Sequence, residues 1–443
     1  MIKDEQLPEL SAFRTLEANL PLWYTPKYGG LVAASGNDSH PIHRWFRFKE
    51  GFSADLLETL VSSLDIPRGP EQLLLDPFCG SGTTLLSASN LREKGWNFTG
   101  VGIEVNPFIA FVARTKANWL RISPQRMLSL GEAALSTSKD MRTALPELTS
   151  ISEGRCISRA TARRLIGLRD ALMQKRSSPS RDAVLLGIAA SIEPLSKVRK
   201  DGRALRLVSR PRINFEDTIR TKWQEIAADV ESVRFPLPNL SRMSVVQGDG
   251  RIPQRSGILP NSVDLIVTSP PYPNNIDYTE VYKLELWIMG FVDSSEEFLA
   301  QRRRTVRSHP TSAILPEHSP FLDLLATRPF LDLLHPLIRR MEQSNNLTIR
   351  RLLIGYCADL FEALSHHFVA LRPGGHEVLV VGNSLHGSGD SAFLLPSDLL
   401  IAFMAPIVGF EVKTVNIARS LKRRLTGNHF LRESVVVLRK PNA

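Results

Sequence analysis

Gln72 to Leu91 reads QLLLDPFCGSGTTLLSASNL: an apolar run, a glycine-rich turn and a helical stretch follow one another without a break. Gly80 and Gly82 let the backbone turn sharply and approach a ligand closely. The free N–H groups at the start of the following helix can hold a carboxylate. The turn opens on an acid, Asp76, and no Gly-Lys-Ser/Thr follows it, so it differs from a phosphate loop. An acid at Asp76 can hold an ammonium group, which a phosphate site would avoid. Residues 97–117, NFTGVGIEVNPFIAFVARTKA, then read as a second strand with an acidic tip at Glu104 and a second helix. Two strand–helix units in succession predict a parallel α/β sheet. An acid at the end of the second strand can accept both hydroxyls of a ribose. That placement also fits a nicotinamide dinucleotide site, but GSGTT stands where GxGxxG would be needed.

Upstream, residues 1–42 read as an irregular segment with scattered Pro and Gly, and 43–64 as a segment ending in a helix with apolar spacing at Leu56, Leu57, Leu60 and Val61. After about Asn118 the strand–helix rhythm stops. Residues 119–240 are expected to be a mostly helical, basic insertion. The sheet pattern returns at SVVQGDGR (244–251) and VDLIVTSPPY (263–272), within a block bounded at 241–290. A second helical insertion is expected over 291–352. The segment 353–443 holds a helix, a Pro-Gly-Gly turn, a strand, a helix near Ser397–Met404 and two final strands. One discontinuous α/β domain with two insertions follows, its first two parts spanning 43–118 and 241–290.

DPFCGSGTT resembles motif I of the amino-methyltransferases that act on adenine N6 or cytosine N4. The resemblance implies S-adenosylmethionine as cofactor and Asp76, Phe78, Cys79, Gly80, Ser81, Gly82, Thr83 and Thr84 as its cradle, with Glu104 as the motif II acid. Ser269-Pro270-Pro271-Tyr272 resembles motif IV, (D/N/S)-P-P-(Y/F), of the same family. An exocyclic amino nitrogen is a poor nucleophile, because its lone pair is delocalised into the ring. Two acceptors for its hydrogens favour a more tetrahedral nitrogen whose lone pair can attack a methyl group. The Ser269 hydroxyl and the Pro270 carbonyl are the expected acceptors, stiffened by the two prolines. Tyr272 offers a ring for stacking on an extruded base. Asp249 resembles the motif III acid, with an Asp-Gly turn the competing reading. Phe52 resembles the motif X phenylalanine beside the cofactor, or is core. The resemblance implies a Rossmann-like class I methyltransferase sheet with largely helical insertions. It covers about half the chain, and the insertions match nothing in it. Ser at the first motif IV position is more typical of cytosine-N4 enzymes, with adenine N6 the alternative.

The net charge is +10, and Ile151–Arg212 holds fifteen Lys/Arg against five Asp/Glu, an excess equal to that of the whole chain. A solvated helical face is one reading of such a run. A polyanionic partner is the other, with DNA expected and RNA not excluded. Lys197, Arg199, Lys200, Arg203 and Arg206, in the loop-like stretch Ser196–Arg206, are the expected nucleic-acid contacts. Residues 301–306 and 275–287 are secondary candidates, including Tyr278, Tyr282 and Trp287. The three cysteines are far apart, which points to a reducing, cytoplasmic setting without a zinc site. No run of about 18 apolar residues predicts a membrane helix. No nuclease motif is evident, so a cognate restriction or defence partner would be encoded elsewhere. A nucleic-acid binder with a relic methyltransferase fold is the non-enzymatic alternative.

Overall fold

Eight strands form one sheet: β1 (Leu22–Tyr24), β2 (Glu71–Asp76), β3 (Asn97–Glu104), β6 (Met243–Gln247), β7 (Val263–Thr268), β8 (Leu371–Gly382), β11 (Glu411–Ser420) and β12 (Arg432–Arg439). Two separate hairpins pair β4 (Val198–Asp201) with β5 (Ala204–Leu207), and β9 (Ser384–His386) with β10 (Phe393–Leu395). The computed structural model describes residues 8–139, 143–201, 204–211, 213–233, 242–274, 276–309, 319–343, 347–386, 393–421 and 429–442. The sheet order is β1-β11-β12-β8-β7-β2-β3-β6. Strands β6, β3, β2, β7 and β8 are parallel, and β12 runs antiparallel between β8 and β11. From β2 the chain adds β3 and β6 on one side, then β7 and β8 on the other. Strand order therefore reverses between β2 and β7, and a crevice opens at their carboxyl ends. This is a Rossmann-like methyltransferase sheet, as the sequence predicts.

The central strands are near-continuous apolar runs because both faces are covered. Leu75, Ile103, Ile266 and Leu379 face a layer containing helices Leu347–Ala370 and Ser397–Val408. Leu74, Phe98, Leu265 and Val267 face helices Leu56–Ser63 and Thr83–Leu91.

The first insertion is helical, as expected. Helices Pro124–Ser138, Arg159–Met173, Pro179–Leu195 and Phe215–Ser232 share an apolar core around Trp223, whose indole N–H donates to the Val184 carbonyl at 3.0 Å. Ser123, Ser158, Ser178 and Asn214 cap these four helices with side-chain oxygens. Buried Asp229 ties the last helix back to the body: it accepts from the Ile42 amide and the Trp45 indole, each at 3.0 Å, and pairs with Arg44. The second insertion contributes helices Ser295–Arg304, Pro320–Leu325 and Arg328–Gln343. No helix among the described residues is long and apolar enough to cross a membrane.

Two expectations need correction. Residues 1–42 are not merely irregular: helix Ser11–Ala18 packs below the sheet and β1 extends its edge parallel to β11. Ser196–Arg206 is not a loop, because alternating burial along VRKD pairs it as a hairpin with ALRL.

Candidate active site

The carboxyl ends of β2 and β7 carry DPFCGSGTT and TSPPY. Gly80 and Gly82 adopt positive φ (49° and 85°), which turns the chain from β2 into helix Thr83–Leu91. A Cβ at Gly80 would sit 2.8 Å from the Phe48 ring. The turn is held by the Cys79 amide on the Ile103 carbonyl at 3.0 Å and the Gly82 amide on the Cys79 carbonyl at 2.8 Å. Asp76 stitches the two loops across the strand reversal. Its carboxylate accepts the Thr268 hydroxyl at 2.8 Å, the Phe78 amide at 3.2 Å and the Thr84 hydroxyl. Burial pushes its pKa up to about 6 against those donors. Asp76 is thus largely committed to internal bonds, with little capacity left for the ammonium group expected of it.

Glu104 accepts the Asn106 amide on one oxygen at 2.8 Å and the Gly80 amide on the other at 3.1 Å. Each oxygen keeps acceptor capacity. Burial, helped by the nearby Asp76 charge, raises its pKa to about 7 despite these amides. Asp249 pairs with Arg251 at 2.7 Å, and Arg251 also pairs with buried Asp359. The following Gly250 carbonyl meets His367 Nε2 at 2.9 Å, while His367 Nδ1 lies 2.7 Å from buried Glu377.

These groups surround a cleft of about 930 Å3, counted to its open mouth. Its walls include Phe52, Asp76, Phe78, Cys79, Gly80, Ser81, Thr83, Thr84, Glu104 and Asp249, so nearly every residue expected at the cofactor cradle lines one space; Gly82 stands behind it, against Ala113. Phe48 and Glu50 also line it and escaped the sequence reading; Arg304 lines it too, expected only within the secondary nucleic-acid candidate 301–306. A second cavity of about 890 Å3 opens beside the first. Pro270, Tyr272, Gly382, Arg419 and Glu433 line it, and Glu50, Gly51, Ser269 and Tyr278 line both.

Ser269 stands at this junction. Its hydroxyl donates to the Val380 carbonyl at 3.1 Å and lies 3.2 Å from the Tyr272 hydroxyl. With its proton directed at Val380, the oxygen keeps a lone pair for an incoming N–H. Pro271 lines the first cavity. The Tyr272 ring packs flat enough on β8 that a Cβ at Gly382 would approach it to 2.9 Å. Asn383, given no chemistry from sequence, is saturated by Asp398 and the Phe430 carbonyl. Tyr282 and Trp287 are buried core residues, and the Tyr282 hydroxyl donates to Glu50 at 2.9 Å.

The basic hairpin divides. Lys200 is buried, pairs with buried Glu285, and holds its ammonium 4.8 Å from the Phe46 ring and 4.6 Å from that of Tyr282. It anchors the hairpin beside helix Tyr278–Val281 and does not face solvent, which corrects its expected role as a nucleic-acid contact. Lys197, Arg199 and Arg206 are exposed; Lys197 caps the Gly154 carbonyl at 2.8 Å and Arg206 pairs with exposed Asp201. Arg203 lies outside the described residues.

The fold is that of a Rossmann-like methyltransferase, and the two joined cavities lie at the carboxyl ends of β2 and β7. Over 93% of its length the chain is 25% identical to the type II methyltransferase M.BsoBI of Geobacillus stearothermophilus, covering 88% of that protein. It is 25% identical over 93% of its length to the type II methyltransferases M.AvaI of Nostoc sp. and Anabaena variabilis, covering 89% of each. No family model matches. The chain thus resembles type II methyltransferases over nearly its whole extent.

Proposed function

We propose that the protein is a site-specific DNA methyltransferase that modifies the exocyclic amino group of an extruded base, with cytosine N4 the target. The observation that carries this reading is Ser269, with Pro270 beside it, at the junction of the glycine-turn cleft and the aromatic-walled cavity. The first cavity fits S-adenosylmethionine by its donor set: Glu104 keeps acceptor capacity for two ribose hydroxyls, Asp249 stands at a strand end, and aromatic rings at Phe48, Phe52 and Phe78 flank the space. Bound there, S-adenosylmethionine supplies an electrophilic methyl group. The chain's own part is to hold the base. Tyr272 and Tyr278 offer ring faces in the second cavity, and the Ser269 oxygen and Pro270 carbonyl accept the amino hydrogens.

Duplex binding is assigned to the exposed basic residues Lys197, Arg199 and Arg206 of the first insertion, and from sequence to Arg203. Their hairpin stands next to helix Tyr278–Val281, at the wall of the base cavity. The type II designation of the relatives supports a modification role beside a cognate restriction endonuclease. Mass spectrometry of nucleosides from DNA and RNA incubated with protein and methyl-labelled S-adenosylmethionine tests the reading. Label in N4-methylcytosine is expected. Label in N6-methyladenine overturns the base assignment alone, and label only in RNA overturns the choice of nucleic acid. Duplex binding with no label and no cofactor binding favours a nucleic-acid binder with a relic fold, whereas no label with cofactor demonstrably bound points to a missing partner or a narrow recognition site.

A further inference from the structure

We propose that Glu50 is the base that removes the proton released at the amino nitrogen during methyl transfer. This rests on the reading of the site as an amino-methyltransferase centre. When the nitrogen lone pair forms the new N–C bond, the S–C bond breaks and its electron pair stays on sulfur. The nitrogen then carries a methyl group, two hydrogens and a positive charge. One N–H bond must break, its electrons returning to nitrogen and its proton passing to an acceptor. A neutral hydroxyl or amide carbonyl orients that proton but is too weak a base to keep it. With Ser269 at the first position of the tetrapeptide, the loop itself brings no carboxylate.

The geometry points to one carboxylate that does reach the junction. Among the described residues, Glu50, Gly51, Ser269 and Tyr278 line both cavities, and Glu50 alone of the four carries a carboxyl group. The other nearby acids are committed elsewhere. Asp76 takes two hydroxyls and an amide, Glu104 holds two amides, and Asp249 pairs with Arg251. Glu433 lines only the base cavity and pairs with Arg419 at 2.5 Å. Glu50 receives the Tyr282 hydroxyl on Oε2 at 2.9 Å, which fixes the carboxyl from one side.

Its surroundings are charged but balanced. The Lys200 ammonium is nearby yet neutralised by Glu285, and Lys49 is turned to the Lys200 carbonyl at 2.7 Å. The Tyr278 and Tyr282 phenols have their pKa values raised by burial and stay neutral. Glu104 and Arg304 stand around the first cavity, and Arg419 with Glu433 around the second. Burial raises the Glu50 pKa, opposed by the Tyr282 hydroxyl, its own and the Lys49 backbone amides, and the Lys200 charge. A carboxylate poised upward in this way is a better proton acceptor near neutral pH.

The test compares wild type with Glu50→Gln, Glu50→Asp and Tyr282→Phe. Single-turnover methyl transfer to duplex is followed from pH 5.5 to 9, with cofactor and duplex affinities measured separately. A 13C-carboxyl NMR titration of Glu50 in the cofactor-free protein gives a readout independent of turnover. Wild type is expected to show an acid limb that coincides with the Glu50 titration, above the usual glutamate value of about 4.3. Glu50→Gln is expected to lose about 10²-fold in rate and the acid limb, with affinities unchanged within about twofold. Glu50→Asp regains part of the rate together with the limb. Tyr282→Phe removes a donor that favours the carboxylate, so limb and titration both move to higher pH. The assignment is overturned if Glu50→Gln keeps the wild-type rate and pH profile. It is equally overturned if rate falls only in step with affinity, or if limb and titration disagree in wild type or fail to move in Tyr282→Phe. Absence of any amino-methylated nucleoside with wild type instead removes the reading on which the assignment stands.

Discussion

Gly250 and Pro77 leave no room between them: a Cβ on Gly250 would lie 1.7 Å from the Pro77 carbonyl oxygen. The turn after β6 is thereby pressed against the glycine-rich turn after β2, and Asp249, next to Gly250, lines the cleft there. Gly250→Ala is expected to force the two loops apart and weaken cofactor binding at least about tenfold, with a lowered melting temperature. Calorimetric titration with S-adenosylmethionine and a thermal melt check this. Wild-type affinity in the variant would mean that the loops can separate without consequence.

Cofactor affinity should depend on pH through Glu104. Its pKa is raised to about 7, chiefly by burial. The ionised form is the better acceptor for ribose hydroxyls, so affinity is gained as pH rises through 7 and lost below it. Between pH 8 and pH 6 the dissociation constant is expected to rise by about tenfold. Glu104→Gln should bind more weakly and show no such dependence. A flat wild-type profile would separate Glu104 from the ribose.

Ser269→Ala removes an acceptor at the junction without touching the glycine turn. Turnover is expected to fall about 10²-fold while cofactor affinity stays near wild type. Stopped-flow or quench measurement of one turnover, beside a binding titration, distinguishes this from a structural role, which would lower both together.

The hairpin residues should separate by burial. Lys200→Met leaves Glu285 buried without its partner, and removing one member of such a pair costs about 3–5 kcal/mol. Denaturant unfolding is expected to register that loss. Arg199→Ala and Arg206→Ala should leave stability almost unchanged but weaken duplex binding and flatten its salt dependence. An unchanged salt slope would move the DNA contact away from this hairpin.

The sheet and the two turns at the cleft were legible because each is written locally. Strand, glycine turn and helix are contiguous in QLLLDPFCGSGTTLLSASNL, and strand and tetrapeptide in VDLIVTSPPY. Strand β1 was not legible, since three residues make no periodic pattern and its partner β11 lies almost 400 positions away. Phe48 and Glu50 escaped for a related reason: they sit in an irregular stretch whose aim is set by Tyr282 and the Gly80 turn. Lys200 was misread because a charge count carries no burial. Several basic residues around it are also paired locally, as Arg164 with Glu216, Arg181 with Asp182 and Arg210 with Glu193. Asp76 was correctly placed at the cleft, but its commitment to Thr84 and Thr268 depends on β2 and β7 lying side by side.

Strands β3 and β6 are direct neighbours, so the helical insertion leaves the sheet and returns to it as the crossover between two paired strands. Helix Pro107–Ala117 alone would complete such a crossover; the remainder is cargo on a connection whose ends are already fixed. Lengthening a connection of that kind costs little, because closure entropy grows only logarithmically with length. A connection of that kind tolerates exchange of its insert while β3 and β6 stay paired. Any such graft must bring a lysine for Glu285, an acid for Arg44 and an apolar face for helices Pro107–Ala117 and Lys283–Ile288.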